Sequence, residues 1–286
     1  MRKVIVKKRQ TLKALFKEEF PYLPFYLCKK LCEKKEIRAD GKTVKEDAVL
    51  APGTEVSVYY DEKKYPLFSA VYEDENVWIV DKKRGVPYEI LTDVLQNSVP
   101  SVRPVHRLDT NTAGLIVYAK TEKAEKELLS AMRDRRVKKQ YLCRVYGVPE
   151  KKHAILSDFL VKDEERGVVR IVKTPVKGAL PVITEYEMQE DLGDGTAVLL
   201  VTLHTGRTHQ IRAHLANCGH FVIGDGKYGV GEVNKRYGRS RQELTSVLLQ
   251  FFFPKEAELF YLSGKEFTIP ARFYAADEKG DKKEGN

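Results

Sequence analysis

The run Pro104-Val-His-Arg-Leu-Asp-Thr-Asn-Thr-Ala-Gly-Leu-Ile-Val-Tyr-Ala-Lys120 gathers His106, Arg107 and Asp109 ahead of the apolar stretch Leu115–Tyr118. β-Branched and aromatic residues bounded by Gly114 predict a strand, so the charged cluster sits on a loop at the strand's mouth. A carboxylate beside His and Arg can be held ionised and aimed into a cleft, where it acts as nucleophile or as charge stabiliser. Asp is equally a favoured helix cap and turn residue, and the local stretch alone favours that plainer role.

Two further stretches follow in order: Lys139-Gln-Tyr-Leu-Cys-Arg-Val-Tyr-Gly147 and Leu203-His-Thr-Gly-Arg-Thr-His-Gln-Ile-Arg-Ala-His-Leu215. With His-Arg-Leu-Asp-x-x-Thr-x-Gly-Leu, they resemble the three ordered motifs of the RluA-type pseudouridine synthases. The resemblance covers nearly the whole chain. It implies isomerisation of uridine in RNA: the N1–C1′ bond breaks, the uracil rotates, and it rejoins through C5. Such a reaction needs no redox step, cofactor or metal. The resemblance makes Asp109 the catalytic residue, either adding to the base or attacking the sugar. Arg212 pairs with it and keeps it charged and directed. Tyr141 packs against the uracil and relays its proton; read alone, it is equally a core aromatic on a strand. A buried uridine must be extruded to be reached, and Arg107, with His106 beside it, is the candidate to fill the vacated space. Thr112, Arg207, His209 and Gln210 complete the expected substrate-binding set. Two departures from the family pattern stand out: Ala113 where Ser is commoner, and Lys82-Lys-Arg-Gly85 without the usual Pro.

The elements that must position these residues are short. Leu12, Leu15, Phe16 and Phe20 fall on one helical face, Leu27 and Leu31 on a second, with Pro21 and Pro24 between. Asp40-Gly41 predicts a tight hairpin turn over 37–44, and Val56–Tyr60 alternates as a strand. Residues 1–45 hold 14 Lys or Arg against five Asp or Glu, an excess of nine that equals the net charge of +9 for the whole chain. Two helices and a small basic sheet resemble the S4-like RNA-binding domain, although Leu23-Pro-Phe25 replaces that domain's polar start to its second helix. We expect this domain over 1–62, a catalytic domain over 63–276, and a disordered charged tail over 277–286. Within the catalytic domain, strands are expected about the acidic turn of 70–82 and at 141–148, 184–188, 197–203, 244–253 and 266–269. Helices are expected at 121–135 and 208–216. Strands outnumber helices without regular crossovers, which predicts an α+β domain with a mixed, largely antiparallel sheet.

The alternatives fare worse. His204, His209 and His214 are spaced by five, and Cys28 and Cys32 lack a second pair, so no zinc site is expected. Gly224-Asp-Gly-Lys-Tyr-Gly229 satisfies a dinucleotide-site pattern but runs into a basic, irregular stretch instead of a helix. It resembles a structural turn of the synthases instead. A glycoside hydrolase needs two facing carboxylates, and the motifs offer Asp109 alone. No apolar run approaches the roughly 20 residues of a membrane span. Four cysteines without a disulfide-like framework fit a reducing cytosol. The expected protein is a cytoplasmic monomer whose partner is ribosomal RNA or, alternatively, tRNA; a non-catalytic RNA-binding or ribosome-assembly factor is the rival from another class.

Overall fold

The computed structural model describes residues 1–270. The N-terminal unit comprises β1 (Arg2–Ile5), β2 (Gln10–Thr11), α1 (Leu12–Glu19) and α2 (Tyr26–Glu33), then β3 (Ile37–Ala39), β4 (Lys42–Thr43), β5 (Val49–Leu50) and β6 (Glu55–Val58). α1 begins where the Thr11 hydroxyl accepts the Ala14 amide at 3.2 Å, and it buries Leu12, Leu15 and Phe16. α2 buries Leu27, Cys28 and Leu31. Asp40 and Gly41, at φ 47° and 75°, make the tight turn between β3 and β4. The antiparallel sheet runs β1-β6-β3-β4.

The remainder forms one large sheet with flanking helices. Its first half holds β7 (Phe68–Glu73), β8 (Val77–Lys82), α3 (Tyr88–Ser98), β9 (Arg103–Pro104), β10 (Ala113–Ala119) and α4 (Glu122–Arg133). The middle holds β11 (Val137–Tyr146), β12 (His153–Asp163), β13 (Val168–Val172), β14 (Leu180–Asp191) and β15 (Thr196–Leu203). α5 (Gln210–Asn217), α6 (Gly231–Arg236), β16 (Leu244–Phe251) and β17 (Glu266–Thr268) complete it. The strand order is β13-β12-β14-β15-β11-β16-β10-β8-β7, with β17 beside β16 and β9 beside β10. All its pairings are antiparallel except β10 with β16, so the expected mixed, largely antiparallel α+β sheet is what forms.

β8 and β10 are buried on both faces, which explains their unbroken apolar runs. Val77, Ile79, Leu115 and Val117 face α4 through Ala124, Leu128 and Ala131. Trp78, Val80, Ile116 and Tyr118 face the other way, into a cluster that runs without interruption to Leu27, Val56, Tyr65 and Leu67. The N-terminal unit therefore shares its core with the large sheet. The polar stretch at the expected domain boundary, residues 60–66, is part of this packing: Tyr60 donates to the Tyr65 carbonyl at 3.2 Å, and Tyr65 donates to Glu36.

The strands expected from 141 and 184 start earlier, at Val137 and Leu180. α3, β12 and β13 are additions that periodicity did not foretell. The charged tail expected over 277–286 lies outside the described residues. Among the described residues no helix is long and apolar enough to cross a membrane, and no group of three His, Cys, Asp or Glu is arranged to hold a metal ion.

Candidate active site

Three sequence stretches, far apart in the chain, meet through β16. Its residue Ser246 pairs with Gly114 of β10 on one side and with Tyr141 of β11 on the other. The approach at Gly114 requires glycine: φ is 109°, and a Cβ there would stand 2.2 Å from the Ser246 carbonyl oxygen. On β11 the register with β16 shifts between Gln140 and Tyr141, an irregularity of the kind that re-aims a side chain. The loop entering β10 carries Asp109, and the chain leaving β15, which pairs with β11, runs through Arg207 and His209 into α5.

These elements border an open cleft lined by Arg107, Asp109, Thr112, Tyr141, Arg207, His209, Gln210 and Arg212 among others. At its centre, Arg212 Nη1 donates to Asp109 Oδ2 at 2.7 Å. The same guanidinium is gripped from behind by Asp225, with Nε to Oδ2 at 2.6 Å and Nη2 to Oδ1 at 2.9 Å. Asp225 Oδ1 also accepts the amides of Lys227 and Tyr228, at 2.8 and 3.1 Å. Burial disfavours the Arg212 charge, but Asp225 and then Asp109 more than offset it and raise its pKa. Burial likewise opposes the Asp225 charge, and Arg212 with the two amides outweighs it and lowers the pKa. Only a carboxylate that is itself fixed can fix Arg212, and Arg212 in turn fixes Asp109.

Asp109 is not a helix cap. It opens a turn in which its carbonyl accepts the Thr112 amide at 3.0 Å. The next carbonyl, that of Thr110, accepts both the Gly85 amide at 2.9 Å and Lys82 Nζ at 3.1 Å. Lys82 is fully buried, and desolvation, against the pull of Asp109, pushes its pKa down to about 7.

His209 takes a left-handed conformation, φ 53° and ψ 17°, at the start of α5. Non-glycine residues rarely do this, and it costs on the order of 1 kcal/mol. The ring is held by Tyr228, whose hydroxyl accepts the Val169 amide at 2.8 Å and lies 2.9 Å from His209 Nδ1. The Tyr228 hydroxyl thereby fixes the Nδ1 edge of the ring, and Nε2 lies 3.9 Å from Asp109 Oδ2. Burial lowers the His209 pKa despite the nearby carboxylate, which keeps the ring neutral. Tyr141 is buried, and burial, aided by the Asp109 charge, raises its hydroxyl pKa, so it stays protonated.

The other sequence-derived residues divide. Arg107 reaches outward with its side chain 58% exposed, its guanidinium 4.7 Å from the Tyr88 ring centroid. Arg207 is exposed at the rim. Gln210 lines the cleft with its amide fully engaged: Oε1 accepts from the Thr205 hydroxyl and the Arg207 amide, while Nε2 donates to Ile183 O and Thr184 Oγ1. Thr112 is buried and accepts from Gln242 Nε2 at 2.6 Å. His106 does not join the cleft wall. Its Nε2 accepts the Val117 amide at 3.1 Å, and burial, with Lys139 nearby, pushes its pKa down to about 3. His106 thus braces the loop against β10.

Asp225, Tyr228 and Lys82 escaped the sequence reading. Asp225 and Tyr228 occupy the Gly-Asp-x-x-Tyr-Gly turn, whose polar residue at a glycine turn was the available signal. Lys82 ends an apolar strand and offers a weaker one.

A family model described as RNA pseudouridylate synthase matches residues 76–217. The dual-specificity RNA pseudouridine synthase RluA of Escherichia coli (strain K12) is 34% identical over 223 residues, which is 75% of this chain and 98% of the relative. Its namesake from Salmonella typhi is 31% identical over the same shares. Among solved structures, Human RNA Pseudouridylate Synthase Domain Containing 1 aligns with a TM-score of 0.63 at 25% identity, over 73% of this chain and 85% of that one. The motif order, the sheet and these likenesses converge: the chain belongs to the RluA-type pseudouridine synthases, the enzymes that isomerise uridine in RNA.

Proposed function

We propose that Asp109 is the catalytic carboxylate of this isomerisation and acts as the nucleophile, on the base or on the sugar. The observation that carries the assignment is the 2.7 Å contact that aims Asp109 Oδ2 within a cleft bordered by Tyr141. Arg212 directs the carboxylate, and Asp225 holds Arg212. Tyr141, protonated and buried, packs against the uracil and manages its C5 proton. Neutral His209, held at Nδ1 by Tyr228, presents Nε2 toward the reacting centre. Arg107, exposed at the rim, takes the space left by the extruded uridine, and Arg207 meets the neighbouring phosphates.

Residues 1–62 form an S4-like RNA-binding domain ahead of the catalytic domain, with the excess of nine positive charges in residues 1–45 supplying affinity without sequence information. Such a charge suits large, structured RNA, and we assign ribosomal RNA as substrate for a monomer acting in the cytoplasm. The matched relatives carry the name dual-specificity, so tRNA enters the same test.

The test is pseudouridine mapping by carbodiimide-dependent reverse-transcription stops on ribosomal and transfer RNA. Cells lacking the protein are compared with cells re-expressing the wild type or Asp109→Asn. The expected result is a ribosomal stop restored by the wild type alone. A stop restored only in tRNA reassigns the substrate, and full restoration by Asp109→Asn overturns the catalytic assignment.

A further inference from the structure

The N-terminal unit does more than share a core with the catalytic sheet; one of its side chains touches the supports of the Asp109–Arg212–Asp225 chain at both ends. Tyr26 is the first residue of α2, and it is half-buried. Its ring lies so close on the Gly85 backbone that a Cβ there would stand 2.8 Å from Tyr26 Cδ1. Gly85, at φ 84°, is the residue whose amide donates to Thr110 O, next to Asp109.

The same ring lies 4.8 Å, centroid to guanidinium, from Arg241. The Arg241 carbonyl abuts Gly224, where a Cβ would stand 2.0 Å from the oxygen. Gly224 precedes Asp225, the anchor of Arg212. The neighbouring Gln242 donates to Thr112, which closes the Asp109 turn. Two routes of direct contact therefore leave Tyr26. One runs through Gly85 and Thr110 to Asp109, the other through Arg241 and Gly224 to Asp225. Both glycines are positions where no side chain fits, so Tyr26 meets Gly85 ring on backbone and Arg241 meets Gly224 backbone on backbone, while the Tyr26–Arg241 contact is ring on guanidinium. The contacts at the two glycines transmit displacement instead of absorbing it in a flexible side chain.

Leu23-Pro-Phe25, the non-polar start of α2 that sets this chain apart from the S4 pattern, immediately precedes the docked ring. Leu23 and Pro24 are buried and turn the chain so that Tyr26 faces the catalytic sheet.

We infer that Tyr26 is a positioning residue: through Gly85 and Arg241 it registers the N-terminal unit against the catalytic loop, so that the grip of that unit on RNA sets the placement of Asp109. This rests on the reading of Asp109 given above. The ring does the work, so Tyr26→Phe is expected to behave as the wild type. Tyr26→Leu keeps an apolar helix start and no longer reaches Gly85 and Arg241.

The experiment uses the full-length chain with two readouts. The first is amide hydrogen exchange over peptides spanning 83–86 and 109–112, with 37–58 as the reference. The second is the single-turnover rate at saturating RNA beside the RNA dissociation constant. Tyr26→Leu and Arg241→Ala are expected to speed exchange across 109–112 by about tenfold or more. They are also expected to slow the saturating rate by about 10- to 100-fold with little change in affinity, the size of loss a misplacement of about 1 Å produces.

Unchanged exchange at 109–112 in both variants overturns the inference, whatever the rate does. A loss of affinity at an unchanged saturating rate also overturns it, since Tyr26 is then an RNA contact. Asp109→Asn, assayed in parallel, separates the two claims: its retained activity sinks the catalytic reading, while the exchange data still judge the coupling.

Discussion

The positive charges of the large sheet and of the N-terminal unit live under opposite conditions. Arg212 is 5% exposed and held by three charged hydrogen bonds that it donates to two carboxylates. In the N-terminal unit, Lys3 and Glu55 pair with side chains 52% and 42% exposed, and Lys8 and Glu18 with 67% and 50%. A buried charge is costly unless fully matched, and once matched it has one geometry. An exposed pair is worth about 0–1 kcal/mol and is screened by salt. The first arrangement can aim a catalytic group; the second can only attract. On the proposed function, one chain thus separates where RNA is collected from where it is changed.

The contrast breaks most visibly at Asp225. Asp225→Asn keeps the shape and leaves Arg212 with Asp109 alone. Loss of one partner of a buried pair costs about 3–5 kcal/mol. The variant is expected to melt well below the wild type and to turn over RNA about 10²-fold more slowly at saturation. Wild-type values in both assays would mean that Asp109 suffices to orient Arg212.

His106 gives a middle-sized effect. Its folded-state pKa, about 3, lies below the ordinary value of 6.5, so the unfolded chain binds its proton first as pH falls. The stability it contributes is whole above about pH 6.5 and is lost toward about pH 3, at about 1.4 kcal/mol per pH unit. Urea melts of the wild type and His106→Gln between about pH 6 and about pH 4 should differ in slope by this amount. Parallel slopes would mean the ring is free to charge in the folded state.

The smallest effect on the rate comes from the other side of the comparison. Replacing exposed Lys7, Lys17 and Lys34 together by Ala should flatten the salt dependence of RNA binding by up to about 0.9 in slope for each phosphate that is no longer neutralised. The rate at saturating RNA should hold. If the slope stays as steep, the charge excess of residues 1–45 is not what draws RNA to this face.

What the sequence made legible was local. Thr11 and Thr121 cap helices that begin where they were expected, and Asp40-Gly41 turns as its chemistry requires. The apolar runs of β8 and β10 declared strands. What stayed hidden depends on partners far along the chain. Asp225 is a turn residue until Arg212 is seen against it, and His106 reads as a substrate contact until its ring is found on the Val117 amide. β12 was hidden for a different reason: it alternates partly exposed and exposed residues over much of its length, so its pattern lacks the apolar face that marks a strand. The docking of Tyr26 was hinted at by a departure from the S4 pattern, whose purpose only the packing reveals.

The place of β16 bears on how this protein is made. Residues 244–251, late in the chain, lie between β10 and β11, which are synthesised roughly a hundred residues or more earlier. Until that strand leaves the ribosome, two long strand edges stay open and the motif residues are not yet brought together. Nascent chains stalled before Leu244 should be cut readily within β10 and β11, and chains released past Thr268 should resist. A polypeptide truncated ahead of that strand carries every motif residue but lacks the strand that joins β10 to β11.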